Sequence, residues 1–319
     1  MVNLRADPWR SDFGTGVEIG FDEESSVVVD PTVEHAVWDR PLTPPPCPPE
    51  TMTFVDGVMR IELPVLARDG DSRAWGAFGS YAAGAVRCDG AAQFLESDEP
   101  PGRVLVVGGG IAPGPVEVSV GRSSITFQPR AAKGALPVHQ RQALQRLMLE
   151  CEQRTATRLA GDGIVFADGP LHLNTGSDVV VVGVVKRMVT QYLEGDFAAL
   201  LPRLAPGQRT PIFALGNSVL DRYAWYLRLI PSQDNWHELA GLVRCEVCME
   251  LGLGAAVEVA DRVACRLPEF AGRPGVDPRA PQNLTPVGAL ESRLKHRMGS
   301  ATYLRRALLV KLWEDAAGD

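Results

Sequence analysis

Ile164-Val165-Phe166-Ala167-Asp168-Gly169-Pro170-Leu171 is the stretch on which the fold turns. Its first four residues form a short apolar run rich in β-branched and aromatic side chains, and Asp-Gly closes it. That pattern reads as a buried strand with an aspartate at its end. Immediately upstream, residues 137–159 read as one long helix. Leu144, Leu147, Met148, Cys151, Thr155 and Leu159 recur at helical spacing and form its buried stripe. Further upstream the pattern repeats in Thr53-Phe54-Val55-Asp56-Gly57. Strand, Asp-Gly, helix, strand, Asp-Gly is thus the frame. A carboxylate at a strand end is held by rigid backbone at a loop edge, and the intervening helix adds Glu150 and Glu152. Two or three such carboxylates, converging, make an oxygen-rich pocket for Mg2+ or Mn2+. Such a pocket is suited to phosphodiester cleavage. A single Asp-Gly is also a common hairpin turn, and that reading stands for either step taken alone.

Outward from this frame, runs at 51–56, 59–67, 74–88, 103–107, 116–120 and 124–128 read as strands with glycine-rich breaks, as in an antiparallel meander. After the second Asp-Gly come strand candidates at 179–186, 211–215, 224–230 and 241–248. Helices are expected at 197–204, 255–267, 286–297 and 302–315. Strands, one long helix, then strands and helices mixed describe an α/β fold built on a mixed sheet flanked by helices. Residues 1–50 read as an irregular arm ending in Pro44-Pro45-Pro46-Cys47-Pro48-Pro49, an extended run that excludes helix, with an edge strand near 26–29. Residues 51–319 read as a single domain.

The chain has 319 residues, 45% hydrophobic and 22% charged, which is the composition of a globular protein with ample core. Neither a membrane span nor a signal peptide is read in it, so a cytoplasmic location is expected. The net charge of −7 does not advertise nucleic-acid binding. Only Lys133, Lys186, Lys295 and Lys311 are lysines, so the cations are mostly arginine, whose planar fork suits phosphate. The six cysteines are scattered, and Cys245-x-x-Cys248 has no second pair at zinc spacing. Val104-Leu105-Val106-Val107-Gly108-Gly109-Gly110 imitates a dinucleotide-binding turn, but Pro113 and Pro115 prevent the helix such a turn needs, so it reads as a loop.

Within the site, helix phase favours Glu152. It lies about 100° from Cys151 on the side of Met148 and Leu159, whereas Glu150 lies about 100° the other way, and it remains the alternative. Lys186 closes a β-branched run beside Arg187. It either meets a phosphate or leaving group, or snorkels from a strand end. His172 follows the second Asp-Gly-Pro-Leu and is a minor candidate.

The chain resembles the NurA nuclease family, in a bacterial form divergent near its C-terminus. The matching residues are Phe54-Val55-Asp56-Gly57, Val165-Phe166-Ala167-Asp168-Gly169-Pro170-Leu171 and Val182-Gly183-Val184-Val185-Lys186-Arg187. Tyr226-Leu227-Arg228-Leu229 and Leu242-Val243-Arg244-Cys245-Glu246 match more loosely. The resemblance implies an RNase H-like fold and Mn2+- or Mg2+-dependent DNA cleavage. It also implies a homodimer that works with a HerA-type hexameric ATPase in DNA end processing. Asp56 and Asp168, with a helix glutamate, would be metal ligands; Lys186, Arg187 and Arg228 are the candidate substrate contacts. The family's Pro-x-x-Leu-x-x-Ala-His pattern is Pro281-Gln282-Asn283-Leu284-Thr285-Pro286-Val287-Gly288 here, without its histidine. Asn283 could supply an oxygen instead, or simply make a turn, and His296 is expected to face away from the helix's apolar stripe. The alternative function is a weak or inactive RNase H-like scaffold that binds DNA or a motor partner.

Overall fold

The computed structural model describes residues 2–6, 27–95, 99–161, 163–171, 180–186, 190–216, 220–232, 237–277 and 279–318. In chain order the strands before the long helix are β1 (Asn3–Ala6), β2 (Val28–Asp30), β3 (Met52–Asp69), β4 (Ser72–Asp89), β5 (Ala91–Leu95), β6 (Gly102–Val107), β7 (Val116–Val120) and β8 (Ser123–Ala131). Then come α1 (Pro137–Leu159), β9 (Ile164–Asp168), β10 (Val181–Val185), α2 (Gly195–Ala198), β11 (Phe213–Gly216), β12 (Arg222–Arg228), β13 (Leu242–Cys248), α3 (Leu253–Arg266), α4 (Thr285–Arg297) and α5 (Ala301–Gly318). The strands form one mixed sheet in the order β2-β11-β12-β13-β10-β9-β3-β4-β6-β8-β7, with β1 added to β3 and β5 to β4.

At its heart lie β6-β4-β3-β9-β10. β3, β4 and β6 are antiparallel neighbours, while β9 runs parallel to β3 and β10 parallel to β9. A parallel return requires a crossover, and α1 lies in it, laid across β3, β4, β6 and β9. Pro137 opens α1 at a position where a missing N–H costs nothing. Leu144, Cys151, Thr155 and Ala156 are buried along it, and Glu152 is buried with them. The opposite face carries α3 and α4. Phe54, Phe166, Val184, Trp225 and Val243 of the sheet pack there on Val259, Val263, Leu290 and Leu294. The rings of Phe54 and Phe166 stack with centroids 5.1 Å apart, fixing the β3–β9 register behind the two aspartates. Beyond the end of α4, Leu304, Leu308 and Leu312 of α5 cover Leu63, Phe78 and Phe127. No helix among the described residues is long and apolar enough to cross a membrane.

The first Asp-Gly step departs from expectation. Strand runs at 51–56 and 59–67 are one continuous strand, β3, paired with β4 from Met52↔Cys88 to Asp69↔Ser72 with a register shift between Ile61 and Leu63. Asp56 and Gly57 face Gly84 and Ala83 in mid-strand rather than making a turn. What ends here is the neighbour: β9 pairs with β3 only as far as Val55↔Ala167. Asp56 therefore stands at the opening of the sheet although its own strand runs on. The second step is a true strand end, where Gly169 has φ 103, in the left-handed region that glycine tolerates. The helix expected at 197–204 breaks into α2 and a 3-10 turn, Leu201–Arg203, where Pro202 cannot donate a helical hydrogen bond. The arm is docked onto the fold. β2 forms the sheet edge on β11, Trp38 is buried among Leu200, Leu204 and Phe213, and Glu34 pairs with Arg209 at 2.9 Å.

Candidate active site

Three carboxylates converge where β3 and β9 part. Val55 and Ala167 are in register, so the next residues, Asp56 and Asp168, stand side by side. Glu152 arrives from α1 across the opposite face. Gly57 makes room for it: a Cβ there would lie 2.9 Å from Met148 Cγ and 3.2 Å from Glu152 Oε2. Asp168 meets Glu152 through its backbone N–H, and its Oδ1 lies 2.8 Å from Lys186 Nζ. Lys186 Nζ also donates to Asn283 Oδ1 at 3.3 Å, and Asn283 Nδ2 donates to Asp277 Oδ2 at 2.6 Å.

Asp56 is 6% exposed and Glu152 5%. Burial, then the charges of Asp168 and Glu291, push the Asp56 carboxyl well above the usual carboxylate range, against the pull of Lys186 and the Gly57 N–H. Burial, then Asp56 and Asp168, push Glu152 up likewise, against the Asp168 N–H and Lys186. Asp56 Oδ2 and Glu152 Oε1 are buried with no hydrogen-bond partner. A buried acceptor left unmet is costly, and its recurrence on two adjacent carboxylates marks a place for a cation or proton. Among the described residues no three His, Cys, Asp or Glu side chains make a ready-formed metal-binding group. The donor set here is nevertheless all oxygen, which fits Mg2+ or Mn2+ and not a softer metal.

The other expected site residues separate. Glu150, the alternative ligand, is exposed on the outer side of α1, where helix phase turns it from the sheet. Arg228, expected as a substrate contact, lies inside the fold. It is 1% exposed, and its guanidinium donates to the carbonyls of Leu204, Ala240 and Glu238, tying loops together. Asn283, 3% exposed, reaches the cluster only through Lys186. Gly288 leaves a space bordered by Arg279 Nη2 and Asn283 Nδ2, so a Cβ there would meet both at 3.0 and 3.1 Å. His296 is exposed on α4. Arg187 and His172 lie outside the described residues.

Sequence reasoning missed two features. Glu291 on α4 bears electrostatically on Asp56 and is itself paired with Arg279 and Lys295. A buried clamp on β12 and β13 grips the loop after Asp168. Glu246 Oε2 accepts the Leu171 N–H at 3.2 Å, Arg222 Nη1 donates to the same Oε2 at 3.2 Å and to Leu171 O at 3.4 Å, and Arg244 Nε donates to Glu246 Oε1 at 2.8 Å. Gly169 N donates to Val184 O at 2.9 Å, laying the loop flat on Gly183, where a Cβ would lie 2.9 Å from Gly169 O. The signal was present: Arg244 and Glu246 alternate with Val243, Cys245 and Val247, placing two charges on one face of a fully buried strand.

The sheet order and the α1 crossover define the class: an RNase H-like mixed sheet flanked by helices. The particular likeness is to the solved NurA nuclease from Sulfolobus solfataricus, with a TM-score of 0.50 over 87% of this chain and 88% of that one, at 10% identity. No family model matches the chain, and no curated protein does.

Proposed function

We propose that this protein is a divalent-metal-dependent deoxyribonuclease of the NurA kind, which hydrolyses phosphodiester bonds at DNA ends. The observation that carries the reading is the pair of buried, unmet carboxylate oxygens, Asp56 Oδ2 and Glu152 Oε1, beside Asp168 at the sheet opening. Asp56, Glu152 and Asp168 are the residues that would hold Mn2+ or Mg2+. When bound, such an ion supplies an activated water and charge neutralisation at the leaving oxygen. Lys186, paired with Asp168 and restrained by Asn283, would offer its ammonium to a phosphate oxygen. The Glu246–Arg222 clamp keeps the Asp168 loop in one geometry, which the chemistry needs more than it needs affinity.

The same reading makes the protein a homodimer and a partner of a HerA-type hexameric ATPase. Exposed Tyr303, Val310 and Trp313 follow helical spacing on α5 and support an interface on that face. The test is degradation of linear DNA by the purified chain with Mn2+ or Mg2+, with chelator as control, beside Asp56→Asn and Asp168→Asn. Cleavage that needs the metal and both aspartates is expected. DNA binding without cleavage by the folded wild type under every divalent ion tried would replace the enzyme with a binding scaffold.

A further inference from the structure

The arm that leads into β3 is clasped to α3 at two points, and one of them is a pair of thiols. A polyproline run winds with three residues per turn. In Pro44-Pro45-Pro46-Cys47-Pro48-Pro49-Glu50, residues 44, 47 and 50 are partly buried while 45, 46, 48 and 49 are exposed, so one edge of the run faces α3. On that edge Glu50 pairs with Arg262, whose Nε donates to Glu50 Oε1 at 3.2 Å. One turn further along α3, Cys265 meets Cys47. The Cys47 backbone N–H donates to Cys265 Sγ at 3.3 Å, and the two thiols are within hydrogen-bonding reach of each other. Both cysteines are free and only partly buried, whereas Cys88, Cys151, Cys245 and Cys248 are buried. Prolines on both sides of Cys47 and a helix under Cys265 hold the pair together without any covalent bond.

We propose that Cys47 and Cys265 are an oxidative modification site, a dithiol that hydroperoxides convert to a disulfide, locking the arm onto α3. One sulfur attacks a peroxide oxygen as its thiolate. The O–O bond breaks, one water leaves and the sulfur becomes a sulfenic acid. The second sulfur displaces that hydroxyl, forming the S–S bond and releasing a second water. Two thiols and one hydrogen peroxide thus give one disulfide and two waters, with two electrons passing from sulfur to oxygen. Burial, then the neighbouring Cys265, pushes the Cys47 thiol up to about 11. Thiolate is scarce at neutral pH, so closure accelerates as the solution becomes more alkaline.

The inference is independent of the nuclease reading and is tested without DNA. The reduced full-length chain is treated with hydrogen peroxide, alkylated, digested without reductant and analysed by mass spectrometry. The expected result is one linked species joining the Cys47 and Cys265 peptides, two thiols lost of the six, and a linkage absent from Cys47→Ser and Cys265→Ser. A raised denaturation midpoint of the oxidised wild type, reversed by dithiothreitol, is expected with it. Separate sulfenic acids at the two positions, or a linkage to any other cysteine, would overturn the site. A linked peptide with an unchanged midpoint would overturn the lock. If one serine variant fails to fold, the other carries the comparison.

Discussion

Asp56 and Glu152 sit at the carboxylate level of the problem, where position decides charge. A fully buried carboxylate beside two others resists ionisation, and only a proton or a cation relieves it. Asp56→Ala and Asp168→Ala are therefore predicted to keep the fold while lowering metal-dependent DNA cleavage by roughly 100-fold or more, the scale on which loss of one electrostatic group of a site acts. Near wild-type turnover in either folded variant would remove that residue from the chemistry. Glu152→Gln is predicted to cost far more activity than Glu150→Gln, because one side chain is buried against the Asp168 N–H and the other is in solvent. Comparable rates for the two would mean that α1 presents a different face. Asn283→Ala frees Lys186 from one acceptor and leaves the carboxylates alone. A several-fold loss, mostly in substrate affinity, is the expected reading of a DNA titration.

The elements explain why these residues meet, and why only part of the meeting could be read in advance. α1 was legible to the residue, because apolar periodicity and Pro137 both act locally. The phase of Glu152 followed from the same periodicity. The unity of β3 was not legible. Asp-Gly carries a strong turn preference, and that preference is overridden here by pairing along β4 on one side, with Gly84 and Ala83 opposite. Glu246 was passed over for a related reason: in a buried strand a charge can serve the backbone as readily as a ligand, and sequence does not say which. Two predictions belong to this scale. Gly57→Ala places a methyl 2.9 Å from Met148 Cγ and 3.2 Å from Glu152 Oε2, so the helix carboxylate must shift. A folded variant with weakened activity that higher Mn2+ partly restores is expected, and unchanged metal dependence would show that the close approach does not position Glu152. Glu246→Gln leaves Arg222 and Arg244 without a full counter-charge and loosens the Leu171 peptide. A loss of turnover at saturating DNA, with little change in half-saturation, would mark it as positioning Asp168; Arg222→Gln should show the same split.

On the scale of the whole molecule, the site concentrates unmet buried carboxylate in an otherwise well-packed sheet, and the proposed metal reading predicts that stability depends on pH and metal together. For an acid whose pKa is raised on folding, the native state binds more protons than the unfolded one in the window between the two values. Asp56 is raised from 3.8 and Glu152 from 4.5. Their contribution favours the fold below those values and is lost as pH rises through the higher folded ones. These two groups are therefore predicted to take thermal stability away from the metal-free protein as pH climbs above about 4, against the opposite contribution of Glu34, Asp277 and Glu291, whose carboxyls are held below their ordinary range. Asp56→Asn should flatten that slope. A divalent cation held there would stand in for the missing protons, so Mn2+ is predicted to stabilise the wild type more at pH 8 than at pH 5, with a total of about 2.7 kcal/mol at pH 8 when it is in hundredfold excess over its dissociation constant there. The variant should gain little at either pH. Thermal unfolding of wild type and Asp56→Asn, with chelator and with Mn2+ across this range, measures all of it. A slope in chelator left unchanged by Asp56→Asn would show that Asp56 does not carry the pH dependence, and equal Mn2+ stabilisation of the variant would show that the buried carboxylates are not where the cation acts.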